Sequence, residues 1–209
     1  MVDIMIKKEK RNAEAVSPVV GVMLMLVVTI IIASVVSAFS GGLVSNTQVA
    51  PQASIDVQVD TSADTTMGGT DYKMTFSLLS GDSIQTKNIA IVTYYENSSG
   101  HIYKNKQTAT SNATDLYQYG TLTRVPFIND AKYGYAGDNP SVDFGNYTWS
   151  TGDVLSTGNI RGTAALLGLN VAESGDISDP DFGSGSVVDV KVLHVPSGQY
   201  IFDKEVIVK

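Results

Sequence analysis

Three tripeptides in the chain have the side chains and spacing for covalent modification. Asn97-Ser98-Ser99, Asn112-Ala113-Thr114 and Asn146-Tyr147-Thr148 each satisfy the Asn-x-Ser/Thr rule for an N-glycan acceptor. The rule is short and this chain is rich in Asn, Ser and Thr, so roughly two matches are expected by chance. A second stretch, "ESGDISDPDFGSG", sets Asp176, Asp179 and Asp181 close together with Glu173 nearby. Such hard oxygen ligands suit calcium. The spacing misses D-x-D-x-D-G, however, and no glutamate closes the loop as a bidentate ligand. A solvated acidic turn is therefore the favoured reading, with calcium the lesser one, and no other metal site is expected.

Catalytic inventory is thin. His101 and His194 fall in strand-like stretches with no metal-ligand spacing between them. His194 precedes a turn and reads as structural or surface-exposed rather than as a general base. Cysteine is absent, so disulfides, thiolate metal sites and cysteine nucleophiles are excluded. No G-x-S-x-G elbow, phosphate loop or dinucleotide fingerprint occurs. The chain is expected not to be an enzyme and to need no cofactor. Its net charge of -7 argues against nucleic acid as a partner, because counterion release from phosphates needs basic clusters.

The elements that would carry these residues begin with an unusual one. A leader with Lys7, Lys8, Lys10 and Arg11 precedes a run free of Asp, Glu, Lys and Arg from Ala15 to Ile55. Basic residues beside an apolar span stay cytoplasmic, so the rest of the chain is expected outside. From Val16 to Phe39 only Ser17, Thr29, Ser34 and Ser37 interrupt the apolar run. As a helix it reaches roughly 35 Å, enough to span a bilayer. Ser17-Pro18 reads as an N-cap followed by proline in the first turn, and Gly41-Gly42 as the helix end. Being apolar on all sides, the helix must be buried on all sides, in lipid or among copies of itself. Gly21, Ala33, Ser34, Ser37 and Ala38 are small enough to permit close approach. A cut after Ser40 would make the segment a secretory signal, but the run is longer than the usual 7–15 apolar residues of one.

The stretch "AVSPVVGVMLMLVVTIIIASVVSAF" closely resembles the N-terminal region of archaeal type IV pilins, in which a short basic leader precedes V-S-P-V-x-G-V. The resemblance implies a class III signal peptide, residues 1–15, cut between Ala15 and Val16 by a prepilin peptidase. It implies that the helix, residues 16–42, is retained, held first by membrane lipid and then packed with copies of itself in a filament. Pro18, Gly21, Leu24, Val27, Ile31, Ala33 and Val35 would then lie in the filament core, and membrane assembly machinery would be a further partner. The fifth residue after the implied cut is Val20 rather than the glutamate of bacterial type IV pilins. More loosely, "SGDSIQTKNIAIV" and "VVDVKVLHVPSGQYIFDKEVIV" also resemble that family's β domain.

Beyond a stem at 43–54, the pattern turns to period two. Ile55, Val57 and Val59 alternate with polar residues, as do Tyr72, Met74, Phe76 and Leu78, and Val188, Val190 and Val192. A hairpin is expected over 88–106, and Pro196-Ser197-Gly198 is expected to form a turn. Seven or so short strands imply an immunoglobulin-like antiparallel β-sandwich at 55–209, giving an α+β chain with a long N-terminal helix. "RGTAALLGLNV" fits a strand or a helical turn. Residues 126–147, dense in Gly, Asp, Asn and Tyr, read as a long surface excursion. Clustered tyrosines at 94–95, 117–119 and 133–135 fit core or exposed contact roles equally. The expected function is a pilin, exported from the cytoplasmic membrane into an adhesive surface filament. A membrane-anchored monomeric binding module and an archaellin of a motility filament are the alternatives.

Overall fold

The structure, a computed structural model, describes residues 18–44, 48–64, 70–173 and 175–209. The chain divides into two compact units, Met1–Thr47 and Gln48–Lys209. The described part of the first unit is one helix, α1 (Pro18–Val44). Every described side chain from Pro18 to Ser40 is exposed. Its polar groups turn back on the backbone: Thr29 Oγ1 donates to Leu26 O at 2.9 Å, and Ser34 Oγ to Ile30 O at 2.7 Å. The helix continues two residues past the expected stop at Gly41-Gly42. Glycine costs a helix only about 1 kcal/mol relative to alanine and does not forbid it.

The second unit is built from β1 (Ala53–Asp64), β2 (Thr70–Gly81), β3 (Ile84–Gln85), β4 (Ile89–Glu96), β5 (Ile102–Gln107), β6 (Thr114–Asp115), β7 (Leu122–Thr123), β8 (Phe127–Ile128), β9 (Thr148–Trp149), β10 (Val154–Ser156), α2 (Ile160–Leu167), β11 (Val187–His194) and β12 (Gln199–Ile207). Two antiparallel four-stranded sheets form, in the orders β1-β2-β10-β8 and β12-β11-β4-β5, with two short ribbons, β3-β9 and β6-β7. The first strand therefore begins two residues inside the expected stem.

Alternation sets the register. Ile55, Val57 and Val59 stand opposite Leu78, Phe76 and Met74, and Phe76 stands opposite Leu155. In the other sheet, Val188, Val190 and Val192 face Tyr95, Thr93 and Ile91. These inner faces meet in one buried core, and a slip of one residue would turn each set to solvent. The sheets join along one edge, where Lys209 N–H donates to Val59 O and Thr61 N–H to Lys209 O, both at 2.9 Å.

The expected excursion at 126–147 is a surface loop only in its middle, where residues 129–141 are exposed or half-buried, and both its ends are anchored in the core. Phe127, Ile128, Val142, Phe144 and Tyr147 are all core, and the Tyr147 hydroxyl donates to Pro126 O at 2.7 Å. Burial pushes the pKa of that hydroxyl well above the ordinary tyrosine range. The Gly, Asp and Asn residues of the segment form turns between apolar anchors too widely spaced to show a period.

"RGTAALLGLNV" resolves as helix. Asn159 caps α2 by accepting from Gly162 N–H at 3.1 Å, and Gly168 (φ 75°) ends it in the left-handed region. Thr93 Oγ1 donates to Leu166 O at 2.7 Å and Asn105 Nδ2 to Ala165 O at 2.9 Å, so β4 and β5 satisfy carbonyls the helix end leaves open. At the other end, Thr157 Oγ1 bridges the Thr163 hydroxyl at 2.7 Å and Met74 N–H at 2.9 Å.

Candidate assembly helix and surface sites

The residues expected in a filament core all lie on α1. At about 100° per residue, Gly21, Leu24, Val27, Ile31 and Val35 share one side of the helix, while Pro18 and Ala33 fall on the other. Of the remaining positions only Thr29, Ser34, Ser37 and Ser40 are polar and none is charged, so no charged stripe marks an outer face. The 23 residues Pro18–Ser40 are long and apolar enough to cross a membrane, and nothing in their own unit buries them. The processing pair Ala15 and Val16, like the cap Ser17, lies outside the described residues.

In the β unit, two features read separately in sequence prove to be one. The β4–β5 hairpin tip carries the first sequon, and the acidic run folds against it. Asn97 Nδ2 donates to Asp179 Oδ2 at 3.0 Å, and Asp181 accepts from the Ser98 N–H at 3.2 Å and from the Ser98 hydroxyl. Asp179 Oδ1 accepts from Asp181 N–H at 3.0 Å. Burial alone would raise the pKa of Asp179. The hydrogen bonds from Asp181 N–H, Asn97 and Tyr103, with the nearby His101, outweigh it and hold the carboxyl below the usual range. The bond to Asp179, together with burial, raises the pKa of the Tyr103 hydroxyl.

The acidic run thus binds hairpin donors rather than converging on an ion. Asp176 stands apart and exposed, and among the described residues no group of three acidic or histidine side chains is placed to hold a metal. Behind the clamp lies an aromatic row. Tyr95 meets Phe182 edge-on at 5.0 Å and stacks on Tyr103 at 5.9 Å, and Tyr103 meets His101 at 4.6 Å. His101 just precedes β5. His194 is buried at the end of β11, with Nδ1 2.8 Å from Ser197 Oγ, and burial lowers its pKa. The two histidines are on different turns and form no catalytic pair.

An open groove of about 800 Å³ runs beside the clamp, lined among others by Tyr94, Glu96, Ile102, Val187, Asp189 and Glu205. Asp189 is paired with Lys191, whose Nζ lies 3.2 Å from Asp189 Oδ2 and 2.6 Å from Asp203 Oδ1, and these two carboxylates raise the lysine pKa. The groove offers acceptors and apolar walls, and no histidine is among its lining residues.

Tyrosines divide by place. Tyr95 and Tyr147 are core, whereas Tyr119 and Tyr135 are 90% and 80% exposed. Their loops are fixed from beneath. Asp115 accepts from Gly120 N–H at 2.8 Å and Tyr117 N–H at 3.1 Å, which lowers its pKa. Asn139 Nδ2 donates to Tyr133 O and Tyr135 O, and Leu122 N–H donates to Asp138 Oδ1, joining the two loops.

Of the remaining sequons, Asn112 follows the Thr108–Ser111 turn and is exposed. Asn146 donates from Nδ2 to Pro140 O at 2.7 Å. The clamp between Asn97 and Asp179 was not visible in sequence, because its partners lie 82 positions apart. The only signal was the co-occurrence of an acidic run and an Asn-Ser-Ser-Gly tip.

No curated protein and no solved structure matches the chain. One family model does: that of the archaeal type IV pilin N-terminal region matches residues 14–55, which spans the whole of α1 and the entry into β1. The uniformly apolar helix, which precedes an antiparallel β unit in the chain, is thus similar to the N-terminal region of archaeal type IV pilins.

Proposed function

We propose that this chain is the structural subunit of an archaeal type IV pilus-like surface filament. A prepilin peptidase cuts between Ala15 and Val16 at the cytoplasmic side. The mature subunit waits in the membrane on α1, and membrane assembly machinery then moves the helix from lipid into a bundle of like helices. The observation that carries this reading is α1 itself: a 27-residue helix, apolar on every side, with none of its described side chains buried. A helix of that kind has to be covered all round. Lipid and like helices are equally apolar, so close packing rather than a hydrophobic gain must favour the bundle. Repeated contacts that do not close give an open helical filament, with the β units on its outside. The exposed Tyr119 and Tyr135, set on braced loops, support a contact or adhesive role for that outer surface.

The test is a charge in the middle of α1. Val27→Asp should abolish filaments, because an aspartate at the centre of such a helix costs about 2.5–3.5 kcal/mol in a membrane and finds no partner in an apolar bundle. The measurement is the yield of filaments sheared from cells, with thermal unfolding of the β unit in detergent-solubilised full chain as control. Filaments at normal yield would contradict the buried-core assignment. A chain that stays full length and monomeric in membranes would indicate an anchored binding module. Loss of swimming in a deletion strain would indicate an archaellin.

A further inference from the structure

The three sequons differ in what their side chains already do. Transfer of an N-glycan needs the asparagine amide nitrogen as nucleophile and the hydroxyl two residues on. Groups held in the folded domain's own hydrogen bonds are not free for either role. At the first sequon both are held. Asn97 Nδ2 donates to Asp179 at 3.0 Å. Its Oδ1 accepts from the sequon's own Ser99 hydroxyl at 2.7 Å, from Ser99 N–H at 3.2 Å and from His101 N–H at 2.9 Å.

The third sequon is held as well. Asn146 Nδ2 donates to Pro140 O at 2.7 Å. Tyr147, the middle residue, is core. The second sequon differs. Asn112 is exposed, Thr114 is half-buried at the start of the two-residue strand β6, and neither side chain has a hydrogen-bond partner among the described residues. The turn before it is fixed, with Ser111 N–H on Thr108 O at 3.1 Å and Thr108 N–H on Ser111 Oγ at 2.9 Å. It presents a free acceptor on a braced base.

We propose that Asn112, alone of the three, is the N-glycan acceptor of the folded β unit, taking an oligosaccharide from a polyprenyl phosphate or pyrophosphate donor. The bond between sugar C1 and the donor's phosphate oxygen breaks, and the lipid phosphate leaves with the electron pair. A bond forms from C1 to Asn112 Nδ2, which gives one proton to a base of the transferase, and nothing is oxidised or reduced. The inference rests on the export of this unit argued above.

The experiment is glycopeptide mass spectrometry of the protein sheared from its native cells, for wild type and for Asn97→Gln, Asn112→Gln, Asn146→Gln, Thr114→Ala and Thr114→Ser. The expected result is one glycan on the Asn112 peptide. It is lost in Asn112→Gln and Thr114→Ala, and kept in Asn97→Gln, Asn146→Gln and Thr114→Ser. A glycan on Asn97 or Asn146, or a bare Asn112 in protein recovered from the surface, overturns the proposal. A chain that never reaches the surface overturns the export reading, and the proposal with it.

Discussion

Asp179 is the side chain on which the hairpin tip depends. It is 5% exposed and is bonded by Asn97 and by the backbone of Asp181, so it acts as an ionised acceptor between two loops. Asp179→Ala is expected to cost about 1.5–3 kcal/mol, the worth of hydrogen bonds to a charged group, read as a lower midpoint in urea unfolding. The pH dependence has a definite sign. A carboxyl held below its ordinary pKa stabilises the fold fully above the usual range near pH 4, and that stability is lost as pH falls through the lower folded value. Asp179→Asn should therefore flatten the acid limb of the stability curve, and an unchanged limb would contradict the assignment. Residue types at this site were legible in the sequence, since sequon and acidic run both stood out. Their pairing was not, because a hydrogen bond across 82 positions leaves no local pattern.

At the level of elements, α2 makes a sharp test because the ordinary rule fails there. Glycine inside a helix normally gains about 1 kcal/mol when replaced by alanine. At Gly162 an added Cβ would stand 1.9 Å from Thr157 O and 3.1 Å from Leu116 Cδ2. Gly162→Ala should instead destabilise by about 1–3 kcal/mol, lowering the unfolding midpoint by roughly 2–4 °C per kcal/mol. A midpoint that rises would show that helix and strand end can separate freely. The long strands were legible because period-two alternation fixes which face is buried. The short helix was ambiguous because its eight residues mix small and apolar types on a mostly buried surface. Residues 126–147 misled for a related reason: turn-forming residues dominate the composition, while Phe127, Val142, Phe144 and Tyr147 do the anchoring. The long helix was the most legible element of all, since 27 uncharged residues after a basic leader admit few alternatives.

For the whole molecule, the division of labour is between a helix that cannot stand alone in water and a β unit that carries its own core. The β unit holds together without disulfides, by packing between two sheets joined at an edge by the backbone of Lys209. Removal of Val208 and Lys209 should open that edge and lower the unfolding midpoint, because Val208 is core and four backbone bonds are lost with the pair, two to β1 and one each to Ser186 and Gly185. The central claim is that the helix is kept and becomes an assembly element rather than being discarded or serving only as an anchor. N-terminal sequencing and intact mass of protein sheared from the cell surface test it directly. The account predicts a mature chain that begins at Val16 and is recovered in filaments. A chain beginning at Gly41, or a full-length chain found only in membranes, would contradict it.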